Sequence, residues 1–475
     1  MTERSKLIWV YLLSTLFIVF NTYLIVNNYL WGALLPIFLF VILLYFLSLD
    51  KVILLITFLT PLAINIRNLD MGFGISLPTE PLMIGVLIFF FIKILFEGDY
   101  DHLVLKHPLT MAILFNLVWL LFTSLTSEIP LVSFKYLLSR LWFVVPFFFF
   151  AIILFKKYAN IKLFIWLYLI PLLGVIFYTS IKHSFYGFDE KSGHWVMTPF
   201  YNDHTAYGAI LSLFIPILVG FSFNKKYSIG TRIVSVSFTI VYTLALILSY
   251  SRAAWISLAV SLVVFIIVIL RIRFRWILLS AGIFVILFYT FQHQILDKLE
   301  KNKQDSSENF VEHIKSIYNI SSDASNLERI NRWQSAIRMF NERPFWGWGP
   351  GTYQFLYAPY QMSKEKTIIS TNAGDLGNAH SEYIGPLAES GLPGMLSIIL
   401  IFSLSIFYGI RIYNKAIDPE IKIISLGVVL GLIAYYVHGF LNNFLDSDKA
   451  SVPVWGFIAI LVALDLYHNK SEEKA

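Results

Sequence analysis

The sequence predicts an all-α fold, a polytopic bundle of twelve to fourteen membrane-spanning helices with one large loop on a single side. Three observations carry that reading. Hydrophobic residues make up 57% of the 475-residue chain and charged ones only 14%, whereas a soluble domain is nearer a quarter charged. Apolar runs of about 20 residues, enough to cross a hydrocarbon core of about 30 Å, recur along nearly the whole length. The runs are continuous rather than ten-residue alternating segments. In lipid every backbone N–H and C=O must be paired internally, so such runs select helices over a barrel.

Taken in order, the first run follows "MTERSK" and ends without a small-residue cleavage site, so it reads as a retained helix and not a removed signal peptide. Spans are expected at 7–26, 29–48, 51–66, 81–97, 108–126, 136–155, 162–181, 204–223, 233–249, 253–270, 275–291, 391–412, 423–441 and 452–467. The turn at Asn27-Asn28 divides the first two, and 136–155 could also lie partly in the interface. The expected organisation is N-terminal membrane helices over 1–291, a loop region over 292–390, and C-terminal helices with a tail over 391–475.

Orientation follows from Lys and Arg. Threading the spans with the N-terminus in the cytoplasm leaves 19 of the 36 basic residues on the cytoplasmic side and 7 in short outer segments; the other 10 fall in the long loop, which the rule exempts. Both termini are then cytoplasmic, and residues 292–390 lie outside. The chain has no cysteine, which removes disulfides, thiolate metal sites and cysteine nucleophiles. Its net charge of +6 is spread over loops, and the long loop holds 12 acidic residues against its 10 basic ones, so nothing marks a nucleic-acid surface. No internal repeat of the kind that builds many transporters is apparent.

A loop this long is either functional or disordered, and "DASNLERINRWQSAIRMFNERP" argues for order in part of it. Ser325 and Glu328 fit a capping box. Ile330, Trp333, Ile337 and Phe340 share one helical face, and Pro344 supplies a stop. The reading is an amphipathic helix over 326–341 lying against the membrane domain or its surface. Arg329 and Arg332 share a side of it, and the guanidinium fork suits a phosphate or pyrophosphate. The plainer alternative is a solvated charged face paired with Glu328 and Glu342.

Four other places hold polar residues at the outer ends of spans. "LSYSRAAWISL" puts Ser251 and Arg252 in a turn too short to be an ordinary loop; an arginine there pairs, snorkels or binds something. "TPFYNDHTAYG" opens a helix with Asn202, Asp203 and His204, either as a cap or as acceptor or sugar contacts. "PFWGWGPGTY" is glycine-rich but has no Gly-Lys-Ser/Thr, so it reads as a tight turn with Trp346 and Trp348 as headgroup anchors or sugar platforms. "NAHSEYIGPLAESGLPG" sets Asn378 and His380 at the lip of a membrane helix. An imidazole can take a proton at ambient pH, although a lone histidine is more often a packed or hydrogen-bonding residue. Glu382 and Glu389 point away from it on a continuous helix, and Glu389 reads as an organiser of the turn at Gly391 and Gly394. His183, His194 and His204 are too widely spaced for a helical or loop chelate, so no metal is expected.

Together, "SRAAW", "ERINRWQSAIRMFNERPFWGWGPGTY" and "NAHSEYIGPLAESGLPG" resemble, in order, the motifs of the O-antigen ligase and O-antigen polymerase superfamily of bacterial polytopic membrane glycosyltransferases. The resemblance covers about residues 200–445. It implies transfer of a glycan from undecaprenyl pyrophosphate to a hydroxyl at the periplasmic face, inverting, without nucleotide, metal or other cofactor. It implies His380 as the general base and Arg252 and Arg329 as the pyrophosphate grip. Arg332, immediately before Trp333, departs from the pattern and leaves open which of the two arginines does the work; Ser251, Asn378, Glu389, Asn202 and His204 are the supporting candidates. Ligation of a glycan to lipid A–core is the first reading. The alternatives are an O-antigen polymerase, a protein O-oligosaccharyltransferase and, in a different class, a glycan-lipid transporter, which should show charged or broken helices at mid-membrane.

Overall fold

A computed structural model describes residues 3–29, 34–66, 74–98, 100–273, 324–367 and 377–469, with a few single positions between them. The fold is all-α, with eleven helices among the described residues long and apolar enough to cross a membrane. In chain order the helices that matter are α1 (Glu3–Val26), α2 (Leu35–Leu47), α3 (Leu49–Leu59), α4 (Thr79–Glu97), α5 (Pro108–Leu125), α6 (Pro130–Val144), α7 (Tyr158–Ser184), α8 (His204–Phe223), α9 (Ile229–Leu248), α10 (Arg252–Ile269), α11 (Ala324–Glu342), α12 (Ile384–Lys415), α13 (Pro419–His438) and α14 (Asp448–Ala463).

Proline at the first helical position starts α5, α6 and α13, where its missing N–H costs nothing. Pro146 lies instead in a π-helical turn, Val145–Phe150, through which α6 runs on to give one span, Pro130–Leu154. A proline leaves a carbonyl without its donor, and a wide turn is a common way to absorb that. The span expected at 136–155 forms as Pro130–Leu154, long and apolar enough to cross, which favours it over the partly interfacial alternative.

Two expectations fail near the N-terminus. The segments at 29–48 and 51–66 form helices of 13 and 11 residues, α2 and α3, roughly 20 and 16 Å long, so neither crosses alone. They break at Ser48, which leaves helical geometry with φ −164°, and α3 ends where Pro61 turns the chain into a small hairpin. Strands β1 (Ile64–Ile66) and β2 (Ile75–Leu77) pair antiparallel with Asn65 opposite Ser76. Buried Lys449 of α14 holds that corner, donating to the carbonyls of Thr60 and Ala63, while Asp448 accepts from the Thr79 hydroxyl at 2.7 Å. The expected span at 275–291 lies outside the described residues, as does most of the loop before Ala324.

The core is built around α8, α13 and α14; the windows of α13 and α14 are each 83% buried, against 6% for α1. Such close packing depends on small residues, since lipid tails are as apolar as leucine and give no hydrophobic drive between helices. At Gly427 of α13 an added Cβ would lie 2.9 Å from the Cα of Ile217 on α8, so a side chain there would push the two helices apart.

The connections gather at two ends of the bundle. At one, Lys156 pairs with Asp101 (2.8 Å), Lys162 with Glu420 (3.0 Å) and Lys226 with Asp418 (2.5 Å). At the other end lie the turns before α8, α10 and α14, the start of α12, and the whole of α11 with the chain that follows it.

Candidate functional site

Helix α11 lies at that second end, and its faces are inverted relative to expectation. Glu328, Asn331, Arg332 and Ser335 are buried, whereas Ile330 and Ile337 are each 38% exposed. Trp333 meets Phe440 edge to face, with ring centroids 5.7 Å apart. The apolar stripe therefore faces outward, as suits a helix bordering lipid, and the polar face is turned into the protein. The helix starts at Ala324, so the backbone of Ser325 falls within it and not at the cap position a capping box needs. Glu328 serves as a hub instead. It accepts from Arg332 Nε (2.9 Å), from the Thr367 hydroxyl (2.9 Å) and from the Ser370 hydroxyl. Burial works to raise its pKa, yet these donors hold the carboxyl below its ordinary value.

Arg332 carries the network onward. Its Nη1 donates to the carbonyl of Asn378 (3.1 Å) and to Nε2 of His380 (3.1 Å). A guanidinium can only donate, so Nε2 is the acceptor and the neutral imidazole keeps its proton on Nδ1. His380 sits in the left-handed region, φ +47°, an uncommon place for a residue with a Cβ. The bond from its N–H to the Asn378 side-chain oxygen (3.1 Å) helps hold it there, which gives Asn378 two supporting contacts. The ring is half-buried. Burial first, then the charges of Arg332 and Arg329, depress its pKa to about 4.

Around this pair stand the other candidates. Arg329 Nε donates to the carbonyl of Leu441 at 3.1 Å. Asp203, not Asn202, caps α8: its carboxylate accepts from the N–H groups of Thr205 and Ala206 (2.8 Å each), and Asn202 is exposed. His204 lies within electrostatic reach of Asp203, Arg329 and Arg252, which brings the "SRAAW" turn to the same cluster. Ser251 is buried, with its hydroxyl unpartnered among the described residues. Chain spacing misled on one point: His194 and His204 meet edge to face with ring centroids 4.1 Å apart. Among the described residues no three His, Cys, Asp or Glu side chains gather as a metal-binding group.

The remaining predicted residues are scaffolding. Glu389 receives the N–H of Tyr353 (3.1 Å) on its carboxylate and the N–H of Gly349 (2.8 Å) on its carbonyl. It therefore shapes the glycine turn, where Gly349 has φ +112°, rather than only its own helix. Trp346 stacks on Trp119 (5.2 Å, 6°), and Trp348 donates to the Met339 carbonyl (2.9 Å) beneath the Arg343 guanidinium; both are packed anchors. Gly391 (φ +67°) breaks α12 into a short first segment and the membrane span, so helical geometry does not carry through "NAHSEYIGPLAESGLPG".

Sequence reasoning missed Arg140 and His438 in this region and the role of Glu382. Glu382 accepts from the Tyr435 hydroxyl and from the N–H groups of Phe444 and Leu445 (3.0, 2.6 and 2.8 Å). Its carboxyl is pushed up to about 7 by burial and then by Asp446. Arg140 donates to Leu445 O and the Tyr136 hydroxyl. Both line a polar cavity of about 170 Å³ behind the His380 loop, with Asn443 and Asp446. His438, wholly buried, has both ring nitrogens unpartnered among the described residues. A glutamate or histidine at the end of an apolar run was the only signal.

Residues 237–399 match the family model described as O-antigen ligase. The match takes in Arg252, α11 and His380 and covers about a third of the chain. An uncharacterized protein of Haemophilus influenzae is 26% identical over 124 residues, covering 26% of this chain and 30% of that relative. The chain thus spans less than a third of the curated relative it matches.

Proposed function

We propose that this protein is a glycosyltransferase that moves a glycan from undecaprenyl pyrophosphate to a hydroxyl, with lipid A–core as the acceptor. The observation that carries the reading is the contact between the His380 imidazole and Arg332, with Arg329 alongside, at one end of a helix bundle. His380 takes the proton of the acceptor hydroxyl. The acceptor oxygen attacks the anomeric carbon, the bond from that carbon to the pyrophosphate oxygen breaks, and the electron pair leaves with the pyrophosphate, giving inversion. Positioned general bases contribute about 10² to 10⁴-fold. Arg252 and Arg329 grip the pyrophosphate and stabilise the charge it gains. Arg332 is tied to Glu328 and His380 and sets the base.

The excess of basic residues at the other end supports a periplasmic site and cytoplasmic termini in an inner membrane. The donor's phosphates then lie at headgroup depth, where the turn before α10 stands, and the acceptor arrives from the aqueous side. Most charged residues of the described spans stand near helix ends, which favours an enzyme over a transporter.

Deletion of the gene followed by analysis of surface glycolipid tests the acceptor. Lipid A–core without polymer is the expected result. Core bearing one repeat unit identifies a polymerase, and unchanged glycolipid with deglycosylated secreted proteins identifies a protein-directed enzyme.

A further inference from the structure

Arg332 has an asymmetry that bears on when the base becomes available. Its Nε is occupied by Glu328 and its Nη1 by Asn378 and His380, while Nη2 makes no hydrogen bond to the described residues. The side chain is 10% exposed. A phosphoryl group binds a guanidinium best through two parallel N–H···O bonds, and the pair of terminal nitrogens is the edge turned away from Glu328. One of those two nitrogens is the one on His380.

We propose that Arg332 is a donor-operated latch on the base: a pyrophosphate held by Nη1 and Nη2 together takes the Nη1–H away from His380 Nε2 and frees that lone pair for the acceptor's proton. The inference rests on His380 being the base and on a pyrophosphate-bearing donor. The charged groups facing the imidazole are Arg332, Arg329 and Glu328 from α11 and Asp203 from the turn before α8. Two of them are cations that oppose its protonation. A pyrophosphate anion on the same arginines offsets both, so one event unmasks the nitrogen and strengthens it as a base. After transfer, Nε2 and Nδ1 both carry protons, and the imidazolium is stabilised by the departing pyrophosphate until it loses its proton to solvent. Glu328 and Asn378 keep the guanidinium in place, so the latch turns on a small pivot at Nη1. Ordered use of substrates follows: the donor seats first, and only then is a hydroxyl activated.

The test uses the full chain in lipid nanodiscs with ¹⁵N-labelled histidine, the His380 signals being assigned by their loss in His380→Gln. Farnesyl pyrophosphate serves as the probe, and calorimetry shows independently whether it binds. The expected result is an Nε2 that loses its Arg332 hydrogen-bond shift on probe binding and a titration that moves up from about 4 by about 1–3 units. In Arg332→Gln the titration should already be raised without probe, and the probe should move it less than in wild type. Arg332→Lys, which keeps the charge without the fork, should show a depressed titration but no change in the Nε2 hydrogen-bond shift on binding. Bound probe with unchanged His380 signals, or Arg332→Gln behaving as wild type, overturns the latch while leaving the transfer reaction standing. Failure of the probe to bind overturns the pyrophosphate site, and the latch with it.

Discussion

The two ends of the bundle hold charge in different ways. At the end with Lys156–Asp101, Lys162–Glu420 and Lys226–Asp418, each lysine meets one carboxylate and the lysines are 35–47% exposed, although Asp101 also accepts from the Tyr467 hydroxyl and the Leu103 N–H. Pairs of that kind are screened and contribute about 0–1 kcal/mol each. At the other end the charged groups are hubs: Arg332 has three hydrogen-bond partners, and Glu382 collects three donors. Buried and multiply bonded groups cannot drift, and a reacting imidazole and a phosphate grip need that fixity. One end keeps a surface soluble; the other fixes a geometry.

That contrast can be broken by substitution. The largest structural effect is expected for Glu382→Ala, which strands the Tyr435 hydroxyl and two backbone N–H groups. At about 1–3 kcal/mol for each buried group left unpaired, the variant should unfold well below wild type in a thermal melt. Arg329→Ala and Arg252→Ala should lower the melt less than Glu382→Ala does but lose about 1.5–3 kcal/mol of grip each, the range for hydrogen bonds to charged groups, read as weaker donor binding and slower transfer. Arg338→Ala removes a two-oxygen pair with Glu365 and a bond to the Tyr360 carbonyl. It should cost about 1 kcal/mol and loosen the 358–365 segment, seen as faster hydrogen exchange there. Lys162→Ala, at the opposite end, should fall below about 1 kcal/mol with transfer intact. If it abolished transfer, the division between the ends would fail.

The pH profile sharpens the same contrast. The base works as the neutral imidazole, so activity is present above its pKa and is lost as pH falls through it. For free enzyme, kcat/KM for the donor should hold down to an acid limb near pH 4, where an unshifted histidine gives about 6.5. An acid limb at the ordinary position would mean that the imidazole is neither buried nor facing arginines when substrate arrives.

Most of the spans and the order of the three polar motifs were legible because membrane length and ion cost act locally on the chain. What failed to show was which side a face looks to. On α11 the stripe Ile330–Trp333–Ile337–Phe340 reads as a core face by the logic of water-soluble proteins. Next to lipid an apolar stripe is equally well satisfied outside, and only the polar residues at 328, 331, 332 and 335 report the interior. Glu328 was read as a cap because its partners Thr367 and Ser370 lie about forty residues on, beyond any local pattern. The close approach of His194 to His204 is likewise a product of the fold, as is the break at Gly391 that sets the His380 loop apart from the membrane span.

The central claim is that His380 takes the acceptor's proton at a site where arginines hold the donor. It is tested most directly by reconstituting wild type and His380→Ala in liposomes with lipid-linked glycan donor and a hydroxyl acceptor, and measuring donor binding and single-turnover transfer on the same samples. The account predicts unchanged donor binding and a transfer rate lower by about 10² to 10⁴-fold. Transfer at the wild-type rate by His380→Ala would contradict it.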